Sequence, residues 1–137
     1  MTTIFHLAFL VEDLESTRRF YRDLLGCAEG RSTDTWVDFD FFGHQISLHL
    51  GEPFPTADTG QVGGHRVPMP HFGALLELPA WQALAERLQR AGTEFVMAPQ
   101  VRFAGEPGEQ WTMFLRDPSG NPIEIKGFRS LESVYAA

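Results

Sequence analysis

Apolar and polar positions follow the same order twice along this chain, and each order predicts a strand, a helix and three further strands. The apolar run at residues 4–11 predicts a buried strand, and residues 14–25 follow it with apolar side chains near helical spacing. Residues 70–78 predict a second such strand, and Pro79, a residue that suits the first turn of a helix, comes directly after it. The chain therefore contains a predicted internal repeat of a β-α-β-β-β module.

Residues at the helix ends support the repeat. Asp13 is the predicted N-cap of the first helix, and Gly26 and Gly92 are the predicted stops of the two helices. The second helix has a predicted buried face of Trp81, Leu84, Leu88 and Ala91. The other strands are predicted at residues 28–32, 35–41 and 45–50 in the first module and at 93–98, 110–117 and 121–128 in the second.

Residues 51–68 are rich in glycine and proline and have little periodic pattern, so they are predicted to be a linker or a mobile flap. The fold class is therefore α+β. We expect a single domain over residues 1–137, in which two tandem βαβββ modules, at about 1–50 and about 69–128, form a curved mixed sheet around a cup. The tail, residues 129–137, is either a short helix or an arm that packs on another subunit.

Charge and cysteine content narrow the functional classes. The chain carries 11 Lys and Arg against 18 Asp and Glu, a formal net charge of −7. Nucleic acid and anionic membranes both require a positive surface, so neither is an expected partner. No apolar run approaches the roughly 18 residues of a membrane span. Cys27 is the single cysteine, which excludes an internal disulfide and indicates a reducing, cytoplasmic location.

Two histidines and one glutamate occupy related places in the repeat. His6 and His71 lie in the first strand of their modules, and Glu124 lies in the last strand of the second module. Glu124 stands between Ile123 and Ile125, so its carboxylate faces away from them and needs a cation or hydrogen bonds. Because a repeat brings equivalent strands together, we expect His6, His71 and Glu124 to converge. Two histidines and one carboxylate form the ligand set of a non-haem metal site.

Three segments resemble the vicinal oxygen chelate superfamily, which includes glyoxalase I, the bleomycin and fosfomycin resistance proteins and the extradiol dioxygenases. These are His6-Leu7-Ala8-Phe9-Leu10-Val11-Glu12-Asp13, Arg19-Phe20-Tyr21-Arg22-Asp23-Leu24-Leu25-Gly26 and Asp117-Pro118-Ser119-Gly120-Asn121-Pro122-Ile123-Glu124. The resemblance covers nearly the whole chain. It implies the duplicated fold, a divalent metal, a small-molecule substrate and a homodimer, to which Leu131, Val134 and Tyr135 of the tail would add apolar contact area.

Carried over residue by residue, the superfamily's ligand positions fall on His6, Ser47, His71 and Glu124. Serine is a poor ligand for a divalent metal, and glyoxalase I has a carboxylate at the position of Ser47. The remaining set is that of the extradiol dioxygenases, and the chain is similar to a predicted small group of that type. The resemblance therefore implies Fe(II), with Mn(II), Zn(II) and Ni(II) as alternatives.

The implied reaction is an extradiol-type oxygenation of a catecholic or other vicinal-oxygen substrate. His49 shares the strand face of Ser47 and is the predicted acid or base, with a fourth ligand as the alternative role. The known ring-cleaving enzymes have a tyrosine near the metal, and the strand at 110–117 contains none. Two alternatives therefore stay open. One is a glyoxalase-like lyase or isomerase, and the other is a binding protein that sequesters a drug or metabolite without chemistry.

Overall fold

The computed structural model describes residues 2–62 and 64–136. Met1 and Ala137, the ends of the predicted domain, and Gly63, in its predicted linker, lie outside these ranges. The chain divides into two compact units. The first unit comprises Met1–Pro55 and Asp117–Asn121, and the second comprises Thr56–Arg116 and Pro122–Ala137.

The first unit is one four-stranded mixed sheet with a helical segment. Its elements are β1 (His6–Val11), α1 (Leu14–Arg18), a π-helical segment (Arg19–Leu24), β2 (Ala28–Ser32), β3 (Trp36–Phe41) and β4 (His44–Leu50). The strand order is β1-β4-β3-β2, in which β1 runs parallel to β4 and the other pairs are antiparallel. The predicted strands and the predicted helix of this module are confirmed, apart from the π-helical second half of the helix.

The helical segment begins and ends at the predicted residues. Asp13 is the N-cap, and its Oδ2 accepts a hydrogen bond of 2.7 Å from the backbone N–H of Ser16. Gly26 follows the segment with a φ of +80°, a conformation that glycine adopts without steric cost. Between these ends, the Tyr21 ring lies 5.5 Å from the ring of Phe39, so the segment packs on the apolar face of the sheet. The opposite face carries exposed side chains, among them His6 and Gln45.

A turn from the other end of the sequence completes the first unit. Asp117 is 4% exposed, and its Oδ1 accepts from the backbone N–H groups of Ser119 and Asn121, both at 2.9 Å. Its Oδ2 accepts from the Tyr21 hydroxyl at 2.8 Å and from Asn121 Nδ2 at 3.0 Å. Asn121 Nδ2 also donates to the carbonyl oxygen of Leu10 at 3.0 Å. The Asp-Pro-Ser-Gly-Asn segment therefore has a structural role, as the centre of a buried polar network in which both carboxylate oxygens of Asp117 are hydrogen-bonded.

The second unit repeats the topology of the first. Its elements are β5 (Ala57–Val62), β6 (His65–Met69), β7 (Phe72–Glu77), α2 (Leu78–Arg90), β8 (Phe95–Arg102), β9 (Gln110–Arg116), β10 (Pro122–Phe128) and a short 3₁₀ helix (Leu131–Ser133). The order β7-β10-β9-β8, with β7 parallel to β10, matches that of the first sheet strand for strand. The α+β class and the duplicated βαβββ module are therefore confirmed.

Residues 51–68, which are predicted to be a linker or a mobile flap, contain most of an antiparallel hairpin formed by β5 and β6. Val62 and Val67 of this hairpin join Met97 and Phe114 in a buried apolar cluster. The apolar residues of the hairpin are few and separated by glycine and polar residues. Their pattern is therefore too sparse to predict strands without knowledge of the sheet on which they pack.

Helix α2 packs on its own sheet through the predicted face. Trp81, Leu84 and Leu88 are buried, whereas Ala91, which was predicted to belong to this face, is exposed at the C-cap. Trp81 Nε1 donates to the carbonyl oxygen of Ile125 at 2.9 Å. Gly127 lies beneath the same ring, where a Cβ atom would come within 2.7 Å of Trp81. None of the helices in the described ranges is long and apolar enough to span a membrane.

Candidate metal centre

The side chains of His71 and Glu124 meet in the second unit. His71 directly precedes β7, and Glu124 lies on β10, the parallel neighbour of β7. The Nε2 atom of His71 is 3.3 Å from Oε1 of Glu124. Gly73 is the register partner of Glu124, and a Cβ atom at Gly73 would lie 1.6 Å from the Glu124 carbonyl oxygen. The close approach of the two strands that brings this pair together therefore requires glycine at position 73.

The orientation of the His71 ring is set by its other nitrogen. Nδ1 lies 2.8 Å from the carbonyl oxygen of Pro68. A carbonyl oxygen can only accept, so Nδ1 carries a proton and donates it. The ring also lies edge-on to Phe114, with the centroids 4.9 Å apart. These two contacts direct Nε2 at the Glu124 carboxylate.

The Glu124 carboxylate is held equally firmly. It is 6% exposed, and its Oε2 accepts a hydrogen bond of 2.7 Å from Oγ1 of Thr112, which is fully buried. Oε1 faces His71 instead. Each residue thus has one atom engaged by the protein and one atom directed at the other residue. Such engagement of the remaining atoms is typical of metal ligands.

A proton or a metal cation has to lie between these two atoms. If Nδ1 of His71 carries the only ring proton, the lone pair of Nε2 faces a carboxylate oxygen, an arrangement that is unfavourable in a buried site. A second proton on His71 would make the pair an ion pair, and a metal cation would accept both lone pairs. Imidazole nitrogen and carboxylate oxygen are ligands for Zn(II) and Fe(II), so this donor set fits a divalent metal.

His6, the other predicted ligand, belongs to the first unit. It is exposed on β1, and its Nδ1 lies 2.8 Å from Oε1 of Gln45 on β4. Within residues 2–62 and 64–136, no group of three or more His, Cys, Asp or Glu side chains is arranged to hold a metal ion. The structure therefore brings together two of the three predicted ligands, and the participation of His6 stays a prediction.

The predicted acid or base, His49, is exposed on β4, where its ring lies 6.0 Å from the Trp36 ring at an angle of 33°. Ser47, at the position of the missing carboxylate, is buried and is the register partner of Ala8 and Asp38. The proton-transfer role of His49 stays a prediction.

A cavity of about 680 Å³ lies in the first unit. Its lining includes Trp36, Asp38 and Gln45, which lie on the same sheet face as His6. Arg31, on β2, also lines it. The cavity combines an aromatic surface with charged and amide groups. That combination is typical of sites that bind small polar ligands.

Two features of the site escaped the sequence analysis. Thr112 lies between the apolar residues Trp111 and Met113 on a predicted strand, and an isolated hydroxyl on a buried strand is a signal that could have identified it. The carbonyl of Pro68 could not be found in this way, because a backbone acceptor leaves no trace in the side-chain pattern.

Comparison with known proteins agrees with the duplicated fold. Residues 3–125 match the family model described as the Glyoxalase/Bleomycin resistance protein/Dioxygenase superfamily. Virulence protein STM3117 of Salmonella typhimurium is 31% identical over 125 residues, which are 90% of this chain and 82% of that protein.

Solved structures show the same similarity. A glyoxalase/bleomycin resistance protein/dioxygenase from Alicyclobacillus acidocaldarius is 30% identical with a TM-score of 0.77, over 98% of this chain and 97% of that one. The genomically encoded fosfomycin resistance protein FosX from Listeria monocytogenes is 20% identical with a TM-score of 0.68, over 97% and 98% of the two chains, and shows the fold alone. The chain belongs to the glyoxalase/bleomycin resistance protein/dioxygenase superfamily, as its sequence segments predicted.

Proposed function

We propose that this chain is a divalent-metal-dependent enzyme that acts on a small substrate with two adjacent oxygen atoms. The observation that carries the proposal is the His71–Glu124 pair, in which Nε2 and Oε1 face each other at 3.3 Å while Pro68 and Thr112 engage the other two atoms. Membership of a superfamily that includes metal-dependent proteins supports the same reading.

His6 is the proposed third ligand, which would complete a set of two histidines and one carboxylate. Three protein ligands of this type leave adjacent positions for a substrate, and the set suits Fe(II) in non-haem oxygenases. Mn(II), Zn(II) and Ni(II) are the alternatives. Ser47 would not take part, because its neutral hydroxyl is a weak ligand for these ions.

The residues around this site have separable roles. A bound divalent ion would supply the positive charge that favours deprotonation of a substrate hydroxyl group. His49 is the proposed acceptor of that proton, since a neutral imidazole has a ring nitrogen that can accept one. Trp36 offers an aromatic surface in the cavity of the first unit, which suits a planar substrate.

The first proposed reaction is an extradiol-type oxygenation of a catecholic substrate, because the ligand set is that of the extradiol enzymes. The second is a lyase or isomerase reaction of the glyoxalase type, which needs no oxygen. The lack of a tyrosine on β9 favours the second reaction, because the known ring-cleaving enzymes have a tyrosine near the metal. The sequence has two tyrosines, of which Tyr21 is buried against Asp117 and Tyr135 lies in the tail, 95% exposed. Neither lies on β9 beside Glu124.

Metal analysis of protein purified without oxygen, followed by oxygen uptake with a panel of catechols, tests the proposal. We expect about one divalent ion per chain, Fe(II) for the oxygenase, and a large loss of metal in Glu124→Gln. Glu106→Gln, at an exposed glutamate of the same unit, is the matched control and should keep its metal. A protein that binds metal and catechol but consumes no oxygen contradicts the oxygenase and favours the lyase. A protein that cannot be loaded with any divalent metal contradicts both enzymes and favours the binding protein.

We also propose that the protein is a cytoplasmic homodimer. The unpaired Cys27 supports a reducing compartment. Exposed apolar side chains such as Leu131 and Tyr135 in the tail support self-association. Light scattering should give twice the chain mass of 15.4 kDa, and a mass of one chain at micromolar concentration would contradict the dimer.

A further inference from the structure

Three side chains of the first unit form a continuous polar relay on the exposed face of the sheet. His6 Nδ1 lies 2.8 Å from Gln45 Oε1, and Gln45 Nε2 donates to Asp38 Oδ2 at 3.1 Å. The three residues lie on β1, β4 and β3, which are adjacent strands in that order. The relay thus passes from strand to strand, directly between the register partners His6 and Gln45 and diagonally from Gln45 to Asp38, whose register partner is Ser47.

The chemistry of the relay allows one arrangement of protons. A carboxylate can only accept hydrogen bonds, so the Gln45 group that faces Asp38 has to be the NH₂ group. The carbonyl oxygen of the same amide then faces His6 and can only accept. The Nδ1 atom of His6 therefore carries the proton, and in the neutral ring Nε2 is left with a free lone pair.

The same tautomer occurs in the second unit by a different route. His71 Nδ1 donates to the Pro68 carbonyl, which leaves Nε2 toward Glu124. In the free neutral imidazole side chain the proton prefers Nε2, so both histidines are held in the tautomer that is less stable in water. In each unit, contacts made by the protein itself therefore hold the proton on Nδ1 and keep it off Nε2.

We propose that Asp38 and Gln45 are positioning residues, which hold His6 in the Nδ1–H tautomer so that Nε2 is ready to bind the metal. Asp38 acts through Gln45, because it fixes which end of the amide faces the histidine. The part of this inference that concerns the metal rests on the proposed function, whereas the tautomer of His6 does not.

The tautomer can be measured on the metal-free full-length protein. Long-range proton–nitrogen NMR of protein with ¹⁵N-labelled histidine, at a pH above the range in which histidine titrates, distinguishes the two ring nitrogens. The His6 signals are assigned by their absence in His6→Gln. We expect the Nδ1–H tautomer in the unsubstituted protein and a majority of Nε2–H in Gln45→Met, which has similar size but no hydrogen-bonding amide.

A double exchange separates the relay from a merely structural role. In the double variant Asp38→Asn, Gln45→Glu, the new carboxylate accepts from both His6 and the new amide, so the Nδ1–H tautomer should return. Asp40→Asn is the matched control. Asp40 lies on the same strand as Asp38 and is the register partner of Gln45, but its carboxylate accepts from the backbone N–H of Gly43 instead. It should leave the tautomer unchanged.

Zn(II) titration of the same variants then tests the link to the metal. We expect binding about 10- to 100-fold weaker in Gln45→Met and restored in the double variant. A majority of Nε2–H in the unsubstituted protein, or no change in Gln45→Met, overturns the relay. An intact relay in a protein that binds no divalent metal supports the tautomer assignment and contradicts the proposed function instead.

Discussion

Thr112 Oγ1 donates a 2.7 Å hydrogen bond to Glu124 Oε2, and both side chains are buried. Thr112→Val keeps the shape of the side chain and removes this donor. We expect about 10- to 100-fold weaker binding of a divalent metal, because the carboxylate loses the contact that orients it. A buried acceptor left unpaired should also lower the free energy of unfolding by about 1–3 kcal/mol.

Titration calorimetry with Zn(II) and urea unfolding measure the two effects. Thr59→Val is the matched control, at an exposed threonine of the same unit, and should change neither quantity. Equal metal affinity in Thr112→Val and the unsubstituted protein would show that Thr112 does not support a ligand.

Gly73→Ala should destabilise the second unit and remove the site together. The added Cβ would overlap the Glu124 carbonyl oxygen, so β7 and β10 would have to separate. Thermal unfolding and metal binding measured on the same samples test this. Gly43→Ala, where no atom lies within 4 Å of the new Cβ although the φ is +93°, separates the cost of backbone conformation from that of close approach. Equal losses in both variants would contradict the steric explanation.

Tyr21→Phe should lower the free energy of unfolding by about 1.5–3 kcal/mol, the range for a hydrogen bond to a charged group. The Tyr21 side chain is fully buried, and its hydroxyl donates to Oδ2 of Asp117 at 2.8 Å. Tyr135→Phe, at a tyrosine that is 95% exposed, should have no effect. Urea unfolding measures both, and metal affinity should be the same in all three proteins. A loss of metal in Tyr21→Phe would show that this network supports the site.

The stability of the protein should depend on pH through Asp117. Burial raises the pKa of this carboxyl above its ordinary value, against the opposing effect of the hydrogen bonds that it accepts. The folded state therefore holds the proton to higher pH than the unfolded state does. The stability that this proton contributes is present below the ordinary pKa of aspartate and is lost as the pH rises through the raised pKa.

Asp117→Asn isolates this contribution, because the amide does not titrate. The difference in unfolding free energy between the unsubstituted protein and the variant should fall as the pH rises from the ordinary pKa of aspartate through the raised pKa of Asp117. Above that pKa the difference should be constant. A difference that instead rises with pH would mean that the pKa of Asp117 is lowered in the folded protein.

Cys27 should be unreactive in the folded protein. Burial, reinforced by the Asp40 carboxylate, raises the pKa of the thiol to about 12, so the reactive thiolate is scarce at neutral pH. Alkylation by iodoacetamide should be slow in native protein and rapid in urea, as followed by mass spectrometry. Rapid alkylation of native protein would show that the segment around Cys27 opens readily.

Much of the fold follows from local patterns. The apolar strands, the N-cap at Asp13 and the stop at Gly26 specify their elements through the chemistry of a few neighbouring residues. The hairpin at 57–69 does not, because its strands are stabilised by packing of Val62 and Val67 on Met97 and Phe114, residues distant in sequence. Ala91 was predicted to be buried from helical spacing, but α2 reaches its C-cap there and the position is exposed.

The sequence by itself determined the repeat, the order of its elements along the chain and the pairing of a histidine with Glu124, since residue type and strand position are visible in one dimension. The order of the strands in each sheet came from the structure. Only the tertiary structure decided which atoms of those side chains are engaged. Pro68 and Thr112 leave Nε2 of His71 and Oε1 of Glu124 facing each other, and Gln45 with Asp38 sets the proton on His6. Hydrogen bonds of this kind depend on the register of neighbouring strands, and a shift by one residue would turn every one of these side chains to the opposite face.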